Sequence, residues 1–535
     1  MILVQYSVEY MANKEQDEEL NRFNITFEEA LMNFARESNS LSERTYSRDT
    51  LQVPSQLQRN SETTFNKSLN IFKSYDIRGI YKLDINEEVA EGVGKSLATY
   101  IGKGKKICVA SDYRKGSNEL KEAFIEGVTS SGNDIVDLGT LPTPLFYFAV
   151  VKNKFDGGGM ITASHNPAMW NGIKMSKKNA APIAEGHGME EIKRIFVEGS
   201  KISNKRGKLE SSDNIVDMYY NYMLSKIKLG RKLTVVIDPG NGSWCGIAKE
   251  LFIRLGCEVI EINGKPDANF PARGPDPHEF ALDELKRKVV ETNADFGVGF
   301  DADGDRASFI DEKGRYVGNG GILLPIFAKY YLKNHKNGKV VYDLTCSIAV
   351  EEVVKASGGV ALINPTGHSP IITRMMEEKA ILGGEYSNHL YFSDNSYLDD
   401  GCFNALKMAE MLSNTKQTLS EISNSIPRYP NVPEYNIDCP DEIKFEVIKQ
   451  LQSKFKSLDF DKVLEIDGIK AFKQNGWVLI RASNTMPLIR VNSEGKDLRT
   501  AKKLFTAGKT LVTREITKRS KKLNNEVPVY DAFYK

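Results

Sequence analysis

The order of apolar and polar residues changes at about residue 71, where short apolar runs begin to alternate with amphipathic segments. Three such runs lie at 106–117, 233–243 and 339–350, and each ends in small or acidic residues. Helical patterns follow them, as in NELKEAFIEGV at 118–128 and IAKELFIRLG at 247–256. Strand-like runs that alternate with helical patterns predict an α/β fold in which crossover helices cover a sheet.

A second apolar run follows each of these units and ends in an unusual polar loop. The three runs are GGMITASHNP at 158–167, ADFGVGFDADGDR at 294–306 and AILGGEYSNH at 380–389. Open α/β sheets bind their ligands at the carboxyl ends of the strands. The pattern therefore predicts three similar α/β domains, each of which presents one loop to a ligand.

The two ends of the chain differ from this repeated part. The first seventy residues are rich in Asn, Gln, Ser and Glu, and we expect them to form a mostly disordered extension. A linker with four prolines, at 427–440, precedes a shorter alternation of helix and strand that predicts a smaller α+β domain. The expected divisions are 1–70 for the extension, 71–215, 216–316, 317–428 and 429–523 for domains I to IV, and 524–535 for a tail.

Composition excludes several classes of partner. The net charge is +1, so no overall field attracts nucleic acid or an anionic membrane. No apolar run reaches the roughly 18–20 residues of a membrane span, and the acidic start does not fit a signal peptide. The six cysteines are scattered without a CxxC pair, which favours free thiols in a reducing cytosol and hence a cytoplasmic protein.

Three carboxylates stand at alternate positions in the loop at 301–306, where Asp301, Asp303 and Asp305 precede Arg306. An EF-hand is excluded because Arg306 occupies the sixth position, where that loop needs glycine, and a strand rather than a helix precedes the loop. Three aspartates with an open position suit Mg²⁺, which leaves room for a phosphate oxygen. The adjacent guanidinium would add a fork for the same phosphate.

The loop TASHNP places Ser164 beside His165 and suggests a nucleophile. Neighbouring side chains rarely face each other, so His165 need not activate the serine. The G-x-S-x-G elbow of a serine hydrolase is missing around Ser164. A role other than hydrolysis is therefore considered for this serine.

Further basic and polar loops suggest that an anionic substrate is held at two places. Arg78 precedes a glycine in KSYDIRGIY, and Lys174 lies ten residues after Ser164. Hydroxyls, backbone N–H groups and guanidinium forks can hold a phosphate without a metal. Such groups cluster in RASNTMPLIR, at Arg481, Ser483, Asn484, Thr485 and Arg490. Side chains that suit sugar hydroxyls cluster in GGEYSNH, at Glu385, Ser387 and His389.

In this order, the loops resemble those of the α-D-phosphohexomutase superfamily, and most closely its phosphomannomutase/phosphoglucomutase group. The similarity extends from about residue 71 to about residue 520. It rests on IFKSYDIRGIY, TASHNP, NGIK, FDADGDR, TGHS, GGEYSNH and RASNTMPLIR. The resemblance implies four domains around a central cleft, with one signature loop from each domain.

The resemblance also implies a reaction and a role for each loop. Ser164 would carry a phosphoryl group, and its oxygen with Asp301, Asp303 and Asp305 would hold one Mg²⁺ per chain. The enzyme would interconvert hexose 6-phosphate and hexose 1-phosphate through a hexose 1,6-bisphosphate, which also serves as activator. Arg78, Lys174 and His368 would lie near the acceptor hydroxyl. Substrate-binding residues would be Arg306, Glu385, Ser387, His389, Arg481, Ser483, Asn484, Thr485 and Arg490.

One departure leaves the preferred sugar open, because Asn388 stands where this group usually has glycine. If the position requires a positive φ, asparagine is the next best residue. The stretch PLIRVNSEG resembles the phosphoglucosamine branch, so a phosphoglucosamine-type mutase is the alternative. A metal-dependent sugar phosphatase and a non-catalytic sugar-phosphate binder are less favoured. The expected partner is a hexose phosphate, and the expected state is a monomer or homodimer.

Overall fold

A computed structural model describes residues 69–199, 203–473, 475–483 and 486–526. Almost all of the predicted N-terminal extension, and most of the predicted tail, lie outside these residues. Among the described helices, none combines the length and the apolar character needed to cross a bilayer. All six cysteines are free thiols, as predicted from their spacing.

The first sheet has six strands in the order β1-β5-β4-β2-β3-β6. Strands β2, β3, β4 and β6 are parallel, whereas β5 is antiparallel to both β4 and β1. Asn86 caps the first helix by accepting a hydrogen bond from Val89 N, at 3.0 Å. The strands are β1 (Ile77–Ile80), β2 (Lys106–Ser111), β3 (Asp134–Thr140), β4 (Gly157–Ile161), β5 (Trp170–Lys177) and β6 (Leu209–Ser211). The helices are α1 (Glu87–Ile101), α2 (Ser117–Ser130), α3 (Thr143–Lys152) and α4 (Met189–Glu198).

The second and third sheets have four strands each, in the orders β10-β9-β7-β8 and β12-β11-β13-β14. The second contains β7 (Thr234–Asp238), β8 (Glu258–Glu261), β9 (Phe296–Phe300) and β10 (Ala307–Asp311), with helices α5 (Ile215–Lys226), α6 (Ile247–Arg254) and α7 (Asp283–Glu291). The third contains β11 (Lys339–Asp343), β12 (Val360–Asn364), β13 (Leu382–Gly384) and β14 (Leu390–Phe392), with helices α8 (Gly320–Leu332), α9 (Ile348–Ala356), α10 (His368–Glu378), α11 (Gly401–Ser413) and α12 (Leu419–Asn424).

These three sheets share one connectivity. In each, a central strand is flanked by two parallel neighbours, and an antiparallel strand pairs with the outer side of the later neighbour. The three loops singled out in the sequence join that neighbour to its antiparallel partner, after β4, β9 and β13. The prediction of three related α/β domains is therefore confirmed.

The strand before each loop contains glycines and is fully buried. A Cβ added at Gly159 in β4 would lie 2.5 Å from the Phe124 ring, and one at Gly383 in β13 would lie 2.3 Å from Met375 Sδ. Glycine lets a covering helix pack directly on the strand backbone at these positions. The close packing holds the end of each strand, where its loop begins.

Domain IV is a smaller α+β unit, as predicted, but the prediction of a linker at 427–440 is wrong for residues 431–438, which form a strand of its sheet. Its five strands are antiparallel in the order β15-β19-β18-β17-β16, and helices pack on the sheet. The strands are β15 (Asn431–Asp438), β16 (Lys462–Leu464), β17 (Ile469–Lys473), β18 (Gly476–Ala482) and β19 (Leu488–Gly495), and the helices are α13 (Asp441–Ser457) and α14 (Leu498–Glu526).

The hydrophobic cores show which domains pack against one another. One continuous core runs through domains I, II and III, and it includes residues from β2 to α12. Domain IV has its own core between its sheet and helices. A small separate cluster of Leu344, Trp477 and Leu479 joins it to domain III. The three α/β loops therefore share a common scaffold, whereas the domain IV loop is supported separately.

Candidate active site

Three loops meet at the carboxyl ends of the first three sheets. We call them the serine loop (162–169), the aspartate loop (301–306) and the sugar loop (385–389). Lys174, on the strand after the serine loop, donates hydrogen bonds to Asp303 and Asp305. Arg306 Nη1 lies 3.5 Å from the Ser387 carbonyl oxygen, which brings the aspartate loop against the sugar loop. Side chains from three domains thus line one site.

Ser164 is buried and has a left-handed backbone conformation, with φ of 52°. Its amide donates to Thr162 Oγ1 at 2.9 Å, which stabilises this uncommon conformation. The Ser164 hydroxyl lies 3.1 Å from His165 Nδ1. The expectation that these neighbours do not face each other is therefore wrong. Burial, with the Arg306 charge, lowers the pKa of His165 to about 2, so the imidazole is neutral at pH 7.

The aspartate loop is a tight turn closed on its own backbone. Asp301 Oδ1 accepts hydrogen bonds from the amides of Gly304, at 3.1 Å, and Arg306, at 3.0 Å. Gly304 has φ of 84°, and a Cβ there would lie 2.2 Å from Trp244 Nε1. That indole, which is fully buried, donates to the Gly304 carbonyl at 2.8 Å. The position requires glycine, and Trp244 anchors the turn to the common core.

Charges on the aspartate loop are paired with two cations. Lys174 Nζ lies 2.7 Å from Asp303 Oδ2 and 2.5 Å from Asp305 Oδ2. Burial alone would lower the pKa of Lys174, but these two carboxylates raise it well above its usual range. Burial would raise the pKa of Asp305, but Lys174 lowers it below its usual range. Arg306 Nε binds Asp301 Oδ2 at 3.0 Å.

The donor set of the aspartate loop fits a hard divalent cation. Carboxylate oxygens of Asp301, Asp303 and Asp305 lie within 4.8 Å of one another, and all three residues are buried. Neither Asp303 Oδ1 nor Asp305 Oδ1 accepts a hydrogen bond from any described residue. Buried carboxylate oxygens without donors are costly, and a bound cation would compensate them. The buried acidic triad therefore fits Mg²⁺ as its ligand.

A second group, Asp305, His389 and Asp399, also brings its ligand atoms within 4.8 Å of one another. Here His389 Nδ1 lies 2.7 Å from Asp399 Oδ2, so the imidazole is already paired with this carboxylate. The three-aspartate group is the better Mg²⁺ site because it consists of oxygen ligands only.

Of the other two residues predicted near the acceptor hydroxyl, Arg78 contacts the serine loop and His368 lies at the start of a helix of domain III. Arg78 lies within β1, where its Nη1 donates to Asn166 Oδ1 at 2.6 Å and its Nε donates to Asp76 at 2.8 Å. His368 is the first residue of α10. Burial, with the nearby Lys174 charge, lowers the pKa of His368 to about 3. His368 is therefore neutral at pH 7.

In the sugar loop, two of the predicted residues contact neighbouring side chains and the third is exposed to solvent. Glu385 is buried and accepts a hydrogen bond of 2.6 Å from Tyr391, and burial raises its pKa to about 7. His389 is paired with Asp399, whereas Ser387 is exposed. Asn388 has φ of 73°, so the position does require the conformation for which asparagine is tolerated.

We call residues 481–490, on domain IV, the phosphate loop. Arg481 and Arg490 face each other in register on β18 and β19. Arg481 Nη2 binds Asp467 at 2.6 Å, and Arg490 Nη1 binds Glu434 at 3.2 Å. Ser483 Oγ accepts a hydrogen bond from the Met486 amide at 3.1 Å. Asn484 and Thr485, which were also predicted here, lie outside the described residues.

Sequence reasoning missed several residues that complete the site. Arg114 binds carbonyl oxygens of the serine loop, and Thr143 Oγ1 donates to Asp303 at 2.7 Å. Tyr75 donates to the Thr366 carbonyl at 2.7 Å. Burial and the Glu385 charge raise the Tyr75 pKa to about 12. The available signals were DYR directly after a strand, and the tyrosine three residues before Arg78 in the motif KSYDIRGIY.

Comparisons with known proteins agree with this architecture. Residues 69–203, 215–314 and 319–429 match the phosphoglucomutase/phosphomannomutase alpha/beta/alpha domains I, II and III, and 434–507 match the C-terminal domain of that family. A phosphomannomutase from Methanocaldococcus jannaschii is 36% identical over 453 residues, which cover 83% of this chain and 98% of that protein. A Methanopyrus kandleri protein named "Probable phosphoglucosamine mutase" is 32% identical over 436 residues, covering 81% of this chain and 95% of that protein.

A solved structure gives the same result for the fold. The crystal structure of a phosphoglucomutase/phosphomannomutase family protein from Burkholderia thailandensis superposes with a TM-score of 0.78 at 30% identity. The superposition covers 84% of this chain and 98% of the Burkholderia chain. Three α/β domains that bring a serine, a triple-aspartate turn and a sugar loop to one site define an enzyme of phosphoryl transfer. The chain belongs to the phosphoglucomutase/phosphomannomutase family of the α-D-phosphohexomutase superfamily, which confirms the resemblance read from its motifs.

Proposed function

We propose that this chain is a phosphohexomutase that interconverts the 6-phosphate and 1-phosphate of mannose, glucose or both. It is an intramolecular phosphotransferase that works through a phosphoserine enzyme and a hexose 1,6-bisphosphate. The observation that carries the proposal is the pairing of Lys174, on the strand that follows the serine loop in domain I, with Asp303 and Asp305 of the aspartate loop in domain II. A metal-dependent phosphatase also joins a serine with acidic metal ligands, so it differs from a mutase in releasing phosphate instead of transferring it to the sugar.

The first transfer starts from phosphorylated Ser164. The bond between phosphorus and the serine oxygen breaks as the substrate hydroxyl bonds to phosphorus, and the hydroxyl proton moves to a base. One Mg²⁺, held by Asp301, Asp303, Asp305 and the Ser164 oxygen, would neutralise charge on the phosphoryl group. The hexose 1,6-bisphosphate then reorients in the cleft. Its other phosphoryl group is transferred back to Ser164.

The residues near the acceptor hydroxyl differ in charge. Arg78 is held cationic, because Asp76 raises its pKa against the effect of burial. Lys174 is held cationic by Asp303 and Asp305. We assign both to stabilising negative charge on the phosphoryl group. His368 is the neutral member of the set at pH 7, but a pKa of about 3 makes it a weak base, so we do not assign the hydroxyl proton to it.

The remaining predicted residues bind the substrate in this proposal. Glu385, Ser387 and His389 would bind sugar hydroxyls, and Arg306 would contact phosphate from the aspartate loop. The non-reacting phosphate would lie on the phosphate loop, where Arg481, Ser483, Asn484, Thr485 and Arg490 cluster. Two arginines side by side on neighbouring strands support this assignment, since guanidinium forks match phosphate geometry.

We also propose the four-domain division 71–215, 216–316, 317–428 and 429–523, with a cytoplasmic location and a monomer or homodimer as the active form. The net charge of +1 supports a protein without nucleic-acid or membrane partners. The free cysteines agree with a reducing compartment. A hexose 1,6-bisphosphate would act as activator by phosphorylating Ser164.

A phosphoglucosamine-type mutase of the same superfamily is the second candidate. It is supported by the stretch PLIRVNSEG, by the Methanopyrus relative, and by Asn388 in the sugar loop. Both candidates use the same serine and aspartate loops, so they differ only in the group recognised on the sugar. The identity of the sugar is therefore the point to test.

Phosphorus-31 NMR tests both candidates at once. Purified protein with Mg²⁺ and a trace of glucose 1,6-bisphosphate is given the 1-phosphates of glucose, mannose, glucosamine and N-acetylglucosamine in parallel. We expect the 6-phosphates of glucose or mannose to accumulate without free phosphate. Conversion of glucosamine phosphate alone would favour the second candidate. Release of inorganic phosphate alone would indicate a phosphatase, and no change with any sugar would indicate a binding protein.

A further inference from the structure

Arg114 binds the backbone of the serine loop at several points. It lies in the loop after β2, and its guanidinium is fully buried. Its Nη1 and Nη2 atoms donate to four carbonyl oxygens within one short segment. These are the carbonyls of Ser164 at 2.5 Å, Asn166 at 2.7 Å, Pro167 at 2.9 Å and Trp170 at 3.3 Å. One side chain thus spans the whole turn that presents Ser164.

The other face of Arg114 contacts domain II. The Phe270 ring centre lies 5.0 Å from Arg114 Cζ, and the Phe270 side chain is buried. Phe270 has φ of 49°, an uncommon conformation for a bulky residue. Such backbone strain persists only where the surrounding structure imposes it. The contact connects the serine loop of domain I with a loop of domain II.

The segment that carries Phe270, residues 267–277, also holds the aspartate loop, and we call it the linking segment. Arg273 Nη2 donates to the carbonyl of Phe300, the residue directly before Asp301, at 2.6 Å. The Ala302 amide donates to the Pro275 carbonyl at 3.0 Å. Asp276 accepts from Arg306 Nη2 at 3.1 Å. Two contacts therefore attach this segment to the aspartate loop, and a third attaches it to the residue before that loop.

The base of the linking segment is itself fixed. Arg273 Nε donates to Asp238 Oδ2 at 2.6 Å, at the end of β7. A Cβ at Gly240 would lie 2.4 Å from Arg273 Nη2, so glycine is needed to leave room for the guanidinium. The segment is thus anchored to the second sheet rather than lying free on its surface.

We propose that Arg114, Phe270 and Arg273 are positioning residues that set the separation between the serine loop and the aspartate loop. The inference rests on the proposed phosphoryl transfer, since its purpose is to hold phosphorylated Ser164 against the metal ligands. Arg114 binds carbonyl oxygens of the serine loop, and Arg273 binds the carbonyl oxygen of the residue directly before the aspartate loop. The linking segment, which carries Phe270 and Arg273, connects the two sites of contact. A phosphoryl group in transfer tolerates little misplacement, because a shift of about 1 Å can cost about 100-fold in rate.

Two conservative variants test the connection. Arg114→Lys keeps the positive charge but loses the fork that reaches several carbonyl oxygens at once. Phe270→Leu keeps an apolar side chain but removes the aromatic face. Phe280→Leu is the matched control, because Phe280 lies in the same domain and is 65% exposed. The double variant of Arg114 and Phe270 completes a thermodynamic cycle.

Hydrogen exchange of the unliganded protein gives a readout that does not depend on activity. We expect Phe270→Leu, a change in domain II, to speed amide exchange in the serine loop of domain I by about ten-fold or more. Exchange in β2 and β7 should stay unchanged, which separates local loosening from general destabilisation. Unchanged exchange in the serine loop would overturn the proposal.

Steady-state kinetics give the second readout. We expect kcat to fall about ten-fold or more in each single variant, with KM for the hexose phosphate changed less than about two-fold. The double variant should lose less than the product of the single losses, because the two side chains share one contact. Faster loop exchange with unchanged kcat would overturn the positioning role. An inactive wild-type protein with a protected serine loop would contradict the proposed function instead.

Discussion

The aspartate loop and the phosphate loop both carry charged side chains, but these side chains differ in burial and in their ion pairs. The three aspartates are at most 2% exposed, and cations from domains I and II surround them. The side chains of Arg481 and Arg490 are 17% and 31% exposed, and each is paired with one carboxylate of its own domain. The aspartate loop lies against the core that the first three domains share, whereas the two arginines of the phosphate loop are partly exposed on a domain with its own core.

This difference follows from what each loop would do. Buried charges interact strongly and need fixed partners, so a catalytic centre built from them is preorganised. Partly exposed arginines stay hydrated and keep a capacity to bind an anion that enters the cleft. We therefore expect substitutions around the aspartate loop to change the rate of chemistry, and substitutions on the phosphate loop to change substrate binding.

The largest expected effect is at Ser164, in the serine loop. Ser164→Ala should lower kcat by about 1,000-fold or more, since no oxygen remains to carry the phosphoryl group. Thermal unfolding should stay close to that of the wild type. Ser225→Ala, at an exposed end of α5, is the control and should retain activity. Activity retained by Ser164→Ala would contradict the phosphoserine assignment.

The next effect tests the phosphate loop. Arg481→Ala should raise KM for the hexose phosphate by about 10-fold to 100-fold, because a hydrogen bond to a charged group contributes about 1.5–3 kcal/mol. Arg490→Ala should have a smaller effect, since that side chain is more exposed. Mg²⁺ affinity, measured by calorimetry, should not change in either variant. A loss of Mg²⁺ affinity would show that the two loops are not independent.

A smaller effect concerns the pH dependence set by Glu385, whose pKa is raised to about 7 by burial. We expect kcat/KM to rise with pH through about 7, as the carboxylate that we propose to bind sugar hydroxyls ionises. Glu385→Gln should lower kcat/KM and flatten this rise. A rise of the same size in the variant would assign the titration to another group.

The same group affects stability, and the sign follows from proton binding. The folded state keeps the Glu385 proton above pH 4.5, where the unfolded state has lost it. The contribution to stability is therefore present at low pH and is lost as pH rises through about 7. The Tm of the wild type should fall relative to that of Glu385→Gln between pH 5 and pH 8.

The smallest expected effect is at Asn388. Glycine at this position would remove the strain of the left-handed backbone. It would also remove the hydrogen bonds that Asn388 Nδ2 donates to Ser308 at 3.1 Å and Tyr316 at 3.3 Å. We expect Asn388→Gly to cost about 1 kcal/mol and to lower Tm by about 1–2 °C. The kinetic constants for the preferred sugar should change little. A switch of sugar preference in this variant would instead make Asn388 a specificity residue.

Much of the fold could be predicted because its pattern is local. Apolar runs that end in small or acidic residues became the central strands of three sheets, and the polar stretches after β4, β9 and β13 became the loops of the site. The pairing order of the strands could not be read in this way, since it depends on contacts between distant segments.

The contact between Ser164 and His165 shows a second limit of local reasoning. Sequence neighbours were expected to point apart, but the left-handed backbone at Ser164 brings the two side chains within 3.1 Å. That conformation depends on surroundings such as Arg114, which lies fifty residues earlier in the chain. No short motif around the serine contains this information.

The sequence alone determined the class of the molecule: the α/β repeat, the smaller fourth domain, the triple-aspartate turn and the order of the four loops. These features follow from residue type and spacing, which act over a few residues. Only the tertiary structure decided that Lys174 lies between Asp303 and Asp305, and that Phe270 of domain II packs on Arg114 of domain I. Such contacts form where buried charges and rings from separate domains need partners, and the common core brings those domains together.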